Sequence, residues 1–321
     1  MSLFQLGIDV AKAKLDCALR LQNGKFKNKV VENNQKGFLV LVGWLEKHGA
    51  ADLHVCMEAT GVYWEEVAEY LAARGMLVSV VNPAQIKAFG ASRLVRTKTD
   101  KADAQLIAEF CAERRPERWQ APSANEQVLR ALVLRYDALQ TMRTQEGNRL
   151  EVARDAVKAD IESHIEWLDD EIKKLAKKIS SHINDDPDMR TKKDLLETIP
   201  GVGERTIAML LAFSINPERF ENARQATAYA GLDPRQHESG TSVKGKPRIS
   251  KVGHSIIRKT LYMPSMSALY RTAWGACFHK RLAAAGKPAM LIIGAMMRKL
   301  IHVAFGVLKS AKPYDATLQN A

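Results

Sequence analysis

The sequence predicts an α/β domain at the N-terminus, then a helical arm and a mainly helical C-terminal region. Three features predict it. Short apolar runs alternate with helix-length segments over the first hundred residues; two stretches beyond Pro122 repeat apolar residues at three- and four-residue spacing; the remainder is helical in period with one turn-rich interruption. A chain of 321 residues, 46% of them hydrophobic, is long enough for two or three cores, since one domain takes roughly 100 to 200 residues.

Residues 3–10 read as a buried strand, and residues 15–21 and 25–31 as two more around the Asn23-Gly24 turn. A helix over 36–48, a strand over 53–57, a helix over about 63–74, a strand over 77–81 and a segment opened by Asn82-Pro83 follow. A hairpin-linked antiparallel trio followed by right-handed βα units is the order of a ribonuclease-H-like mixed sheet flanked by helices. It is expected over residues 1–121. After Pro122, Ser123 is placed to cap a long helix. Leu129, Leu132, Tyr136 and Leu139 form one heptad seam, and Ile161, Ile165, Leu168, Ile172, Leu175 and Ile179 form another. The two seams are out of phase, which predicts a turn near 154–160 and an antiparallel coiled-coil arm over 122–186, suited to dimerisation. The third region is expected over 187–321.

The formal net charge of +12 is concentrated. From Ser239 to Tyr314 there are fourteen Lys and Arg and no Asp or Glu, so the rest of the chain sums to −2. A basic surplus confined to one segment is the footprint of a polyanion binder, and nucleic acid is the commonest polyanion. Cys17, Cys56, Cys111 and Cys277 are scattered singles. They form no zinc knuckle or disulfide framework and fit a reducing, cytoplasmic compartment. The N-terminus lacks the basic start of a signal peptide, and the apolar run over 289–297 is too short to span a bilayer.

Asp9 ends the first strand, Glu58 follows a neighbouring one, and Asp100 and Asp103 stand one helical turn apart in RTKTDKADAQ. On the expected sheet all four acids emerge at one end. Such acids repel one another unless divalent cations lie among them, and Mg²⁺ or Mn²⁺ on oxygen ligands would also supply Lewis acidity for phosphoryl transfer. Asp9, at the middle of the sheet, is the central ligand in this scheme. Taken alone, Asp100 reads equally as the N-cap of its helix. Lys98 and Lys101 flank the pair and are candidates for phosphate contact, as is Thr97.

The segment LLETIPGVGERTIAMLLAF, residues 195–213, reads as helix, turn, helix. In a helix-hairpin-helix, Gly201 and Gly203 would let the second helix begin close to a phosphate. Downstream, Ser239 opens a Gly- and Ser-rich run followed by Lys244, Lys246, Arg248, Lys251, Arg258 and Lys259. These cations are candidates for backbone contacts to nucleic acid. A serine in such a setting can attack a phosphodiester if its proton is removed, although serines in Gly-rich loops are usually turn formers. His237 is the nearest histidine base, but a lone histidine near a serine is more often incidental.

The acids Asp9, Glu58, Asp100 and Asp103, the helical arm, the IPGVG hairpin and the SKVGHSIIRKTLYM tail together resemble the DEDD-type transposases of the insertion sequence 110 family across essentially the whole chain. The resemblance implies a RuvC-like N-terminal domain and a C-terminal transposase domain. It also implies a metal-binding tetrad at Asp9, Glu58, Asp100 and Asp103, and a covalent phosphoserine link to donor and target DNA at Ser239. A bridging RNA that pairs with both DNAs is a further implication, as are active sites composed between subunits. A dimer of dimers is the assembly that several strand cleavages in one complex would require. The competing expectation is a junction-resolving nuclease that uses the tetrad and water, with Ser239 a bystander.

Overall fold

The computed structural model describes residues 4–50, 52–94, 99–235, 238–239, 243–244 and 248–319. Thr97, Lys98, His237 and Lys246 lie outside them. The chain divides into two compact units, Met1–Ala121 and Pro122–Ala321.

The first unit is built on β1 (Phe4–Val10), β2 (Lys14–Arg20), β3 (Phe26–Glu32), α1 (Gln35–Lys47), β4 (Leu53–Glu58), α2 (Glu65–Ala72), β5 (Leu77–Val81), α3 (Pro83–Ser92) and α4 (Asp100–Arg114). The strands form one sheet in the order β3-β2-β1-β4-β5. β1, β2 and β3 pair antiparallel, whereas β1, β4 and β5 pair parallel. This is the mixed sheet expected of a ribonuclease-H-like fold, with β1 at its centre. Side chains alternate across it. Leu6, Ile8, Leu15, Leu19, Val55 and Met57 pack with Phe38, Leu41 and Leu45 of α1 and Val67 and Leu71 of α2. Cys56 packs on the other face with Ile86, Phe89, Ile107, Phe110 and Cys111.

Gly7 fixes how α4 lies on that second face. A Cβ at Gly7 would stand 2.1 Å from the Ala104 carbonyl oxygen and 2.4 Å from the Ala108 nitrogen, so the helix backbone rests on the strand backbone. Ala104 and Ala108, both buried, keep the contact thin. The cap of α4 is Thr99, whose hydroxyl accepts from Ala102 N–H at 3.2 Å. The alternative in which Asp100 caps the helix is therefore corrected. Asp100 is the first helical residue, and its carboxylate is left for other partners.

The second unit opens with α5 (Ala124–Glu151), started by a Ser123–Glu126 capping box, and α6 (Asp155–Asp185). The chain reverses between Glu151 and Asp155, slightly earlier than the seam phases suggest. The two helices run antiparallel, with Leu139, Leu168 and Ile172 enclosed between them. This hairpin has no core of its own along its full length. Leu129, Val133, Ile179 and Ile183 belong to the core of the rest of the unit. Val133 is buried where the heptad reading placed Leu132, which is only partly buried.

That core also takes in α7 (Pro187–Glu197), α8 (Glu204–Ala212), α9 (Ala223–Tyr229), α10 (Ser255–Arg271), α11 (Ala273–Ala284) and α12 (Ala289–Ser310). Between α9 and α10 lie four two-residue strands: β6 (Pro234–Arg235) pairs with β9 (Arg248–Ile249), and β7 (Glu238–Ser239) with β8 (Val243–Lys244). The apolar run at 289–297 is part of α12, the one helix among the described residues long and apolar enough to cross a membrane. More than half of its apolar stretch is buried, with Ile292, Met296, Leu300, Ile301 and Phe305 in the core.

Because the Gly7 approach is backbone on backbone, no rotamer change relieves an added methyl. Gly7→Ala should destabilise the first unit by about 1–3 kcal/mol, the usual range for overpacking. Urea denaturation followed by tryptophan fluorescence should report it, since Trp64 lies in that unit's core.

Candidate active site

The register of the sheet sets the acids in a row. Asp9 follows Gly7 by two residues and so shares the face on which α4 lies. Asp16 of β2 pairs directly with Asp9 across the antiparallel ladder. On the other side Ile8 pairs with Met57, so one further step brings Glu58 beside Asp9. Three adjacent strands thus present Asp16, Asp9 and Glu58 to the same face. The first turn of α4 contributes Asp100 and Asp103.

The electrostatics reflect this crowding. Burial, then Asp103, Asp100 and Asp16, push the Asp9 carboxyl up to about 6. Lys14 opposes them. Its ammonium donates to Asp100 Oδ2 at 2.7 Å and meets Asp16 Oδ2 at 3.0 Å. The hydrogen bond from Lys14 holds Asp100 below the usual carboxylate range, and Asp100 followed by Asp16 raises the lysine above its own. A cation thus already sits between the helix and the hairpin. Among the described residues no three His, Cys, Asp or Glu side chains converge closely enough to hold a metal ion as placed. In chemistry, however, the group fits one: an all-oxygen, like-charged donor set, with Asp9 raised by burial and by its acidic neighbours, suits a hard divalent cation.

The nucleic-acid candidates divide into two groups. Arg258 donates to the carbonyl oxygens of Ala230 at 2.8 Å and Gly253 at 3.2 Å. Lys259 reaches the Asp137 carboxylate at 2.9 Å and the Thr141 hydroxyl at 3.0 Å. Both have partners within the fold. Lys101, Arg248 and Lys251 are exposed. Lys244 lies in β8, its backbone paired with Glu238.

The two glycines of the hairpin turn also differ. Gly201 has φ +94°, and a Cβ added there would stand 3.2 Å from the Ala268 backbone, so the turn itself requires a glycine. Gly203, the N-cap of α8, has open space where a Cβ would be. Ser239, in β7, pairs with Val243.

Sequence reasoning missed Lys14, Asp16 and Arg235. Asp16 was legible once the Asn23-Gly24 hairpin had been recognised, because the first two strands then pair in a register that sets it opposite Asp9. Arg235 faces Arg248 across β6 and β9, a pairing that the two-residue strands did not announce.

Two family models match the chain. One, described as a transposase and typed as DEDD and IS110, covers residues 6–156; the other, described as the transposase IS116/IS110/IS902 family, covers residues 193–280. A pilin gene-inverting protein from Moraxella lacunata is 36% identical over 323 residues, spanning 100% of both chains, and that of Moraxella bovis matches to the same extent. An uncharacterized 43.6 kDa protein of insertion element IS110 from Streptomyces coelicolor is 27% identical over 124 residues, covering 39% of this chain and 30% of that protein.

Among solved structures, T. thermophilus RuvC in complex with Holliday junction substrate aligns with 36% of this chain and 99% of its own, at 15% identity and TM-score 0.29. The fold assignment above stands on strand order and pairing, not on that alignment. The chain belongs to the IS110 family of transposases, and its enzymatic class is that of a DNA transposase and recombinase.

Asp9 supplies a test of the crowding. Its carboxyl holds a proton more tightly when folded than the usual 3.8, so ionisation works against folding. That penalty is absent below about pH 4, grows between pH 4 and 6, and is complete above pH 6. Asp9→Asn removes it. The variant should be more stable than the parent by about 1–2 kcal/mol at neutral pH, a figure discounted for the half-exposure of Asp9 to solvent. Paired denaturation curves at pH 4 and pH 7.5 should show the advantage at the higher pH only.

Proposed function

We propose that Asp9, Glu58, Asp100 and Asp103 hold divalent cations, and that Ser239 is the nucleophile of a recombination reaction passing through a covalent protein–DNA link. The observation that carries the metal part is the row of acids under α4, with Asp9 raised by burial and then by its neighbours. Mg²⁺ or Mn²⁺ bound there would supply Lewis acidity to the phosphodiester.

Ser239 Oγ forms a bond to phosphorus as the bond from phosphorus to one sugar oxygen breaks, and the freed strand leaves with its hydroxyl. One phosphate ester replaces another, so the energy of the cleaved bond is kept. A strand hydroxyl that attacks the phosphoserine in turn rejoins DNA and restores the serine. Hydrolysis would lose that energy, and a recombinase that must reseal both partners has reason to avoid it. The full-length likeness to proteins named for gene inversion supports a reaction that conserves every strand it cuts.

Guidance by a bridging RNA and assembly as a dimer of dimers belong to the same proposal, as does contact of Lys98, Lys101, Gly201, Gly203, Lys244, Lys246, Arg248, Lys251, Arg258 and Lys259 with nucleic acid. They rest on family membership and on the basic segment from Ser239 to Tyr314. Arg258 and Lys259 would contribute chiefly by shaping the surface, given their internal partners.

The decisive measurement is a denaturation-resistant protein–DNA adduct on element-end DNA. Ser239→Ala should abolish both adduct and strand exchange, and an adduct that persists would move the nucleophile elsewhere. Asp9→Asn should abolish cleavage while nucleic-acid binding stays within about twofold of the parent, because the change removes one ligand from a metal site and no cation from the binding surface. Metal-dependent nicking without an adduct would instead identify a water-using junction nuclease.

A further inference from the structure

The acidic face of the first unit holds a cation of its own, and the way that cation is held bears on the metal. Lys14 opens β2. The backbone around it is pinned, because Ala11 N–H donates to the Lys14 carbonyl oxygen at 3.0 Å, while Asn33 donates through its backbone N–H to Ala13 at 3.0 Å and through its side-chain amide to Ala11 at 2.9 Å. What can move is the lysine side chain. Its ammonium reaches two carboxylates, Asp100 Oδ2 at 2.7 Å and Asp16 Oδ2 at 3.0 Å.

The two contacts are unlike. The Asp16 side chain is 10% exposed and lies on the same strand as Lys14, whereas that of Asp100 is 57% exposed and comes from α4. The position of α4 is fixed by other means. Thr99 caps it, Gly7 seats it on the sheet, and Gln105 donates to Asn28 Oδ1 of β3 at 3.1 Å. With the Lys14–Asp100 contact broken, the helix would keep its place and the carboxylate alone would be released.

An ammonium and a divalent cation compete for one carboxylate. While Lys14 takes up Asp100 Oδ2, an ion on the same carboxylate would be held at short range from a like charge and repelled. Among the described residues no three acids converge closely enough to hold a metal as placed. Drawing Asp100 toward the hairpin is a physical reason for that spread.

We infer that Lys14 is the resident counter-ion of the unloaded acidic face and that a divalent cation displaces it from Asp100. The Lys14–Asp100 contact and metal binding then exclude each other, and the ammonium keeps Asp16, its neighbour on β2, after the exchange. Lys14 is a positioning residue. It offsets the repulsion among the acids before the metal arrives, and by competing for Asp100 it sets how tightly the metal is held. The inference rests on the proposal that Asp9, Glu58, Asp100 and Asp103 bind metal.

The test is Mn²⁺ binding to the full chain without nucleic acid, followed by titration calorimetry and by the electron paramagnetic resonance signal of free Mn²⁺. Lys14→Met keeps most of the side-chain length and loses the charge. It should bind Mn²⁺ about tenfold more tightly, since one competing contact and one repulsion are gone. Lys14→Gln should act in the same direction, and Lys14→Arg, which retains a cation, should gain nothing. Lys12→Met removes an equal charge from the exposed turn two residues away, and its gain should stay below about twofold, as for any screened surface charge.

Unchanged affinity in both Lys14→Met and Lys14→Gln overturns the inference. An equal gain in Lys12→Met overturns it too, because the effect would then be one of net charge and not of the contact with Asp100. Asp9→Asn separates this from the reading beneath it. If that change leaves Mn²⁺ binding intact, the metal site itself is misplaced; if it weakens binding while the Lys14 variants gain nothing, the exchange alone fails.

Discussion

The backbone contact between Gly7 of β1 and Ala104 and Ala108 of α4 is the constraint on which the acidic face depends. An ordinary side chain at position 7 would lift the helix from the sheet, and the first turn of α4 would no longer overhang the ends of β1 and β4. Two residues along β1, at Asp9, and one residue back along α4, at Asp103, the demand reverses from the smallest groups to charged ones. The same geometry that packs the core tightly therefore delivers Asp9 and Asp103 to the rim of that packing, where part of each remains in contact with solvent. Stability and chemistry share one interface here.

That arrangement stores electrostatic repulsion, and the fold answers it with one lysine. Lys14 meets the buried Asp16 on its own strand and ties the hairpin to α4 through Asp100, an exposed contact whose worth to stability is small. Its importance is positional. A monovalent ammonium meets Asp16 and Asp100 and leaves Asp9, which it does not touch, to bear burial and the remaining repulsion. A divalent ion that entered would meet a partly neutralised site, and the acids would have to redistribute between lysine and metal.

The architecture was largely legible because its signals are local. Alternating apolar runs fixed five strands to within about two residues, and the Asn23-Gly24 turn identified the hairpin. The placement of Asp9, Glu58, Asp100 and Asp103 was legible for the same reason, since each sits at the end of a periodic segment. Asp16 was hidden because its role comes from cross-strand pairing, which sequence spacing does not display. Heptad periodicity found the arm but overstated its independence: the same apolar residues satisfy a partner helix or a neighbouring core, and period alone cannot tell them apart.

The rooting of α5 has a mechanical consequence. Its first turns are held by Leu129 and Val133 in the main core and by Glu126, which binds both the Ser123 N–H and the Ser214 hydroxyl. Farther along, Leu139 packs against Leu168 and Ile172 of α6. At about 1.5 Å per residue, its 28 residues make a stiff beam with its fulcrum in the core. A load borne at the tip of such a beam is not dissipated along the way. It arrives at the root as torque on Ser214 and α8, and the arm that gives the unit its reach is also its lever.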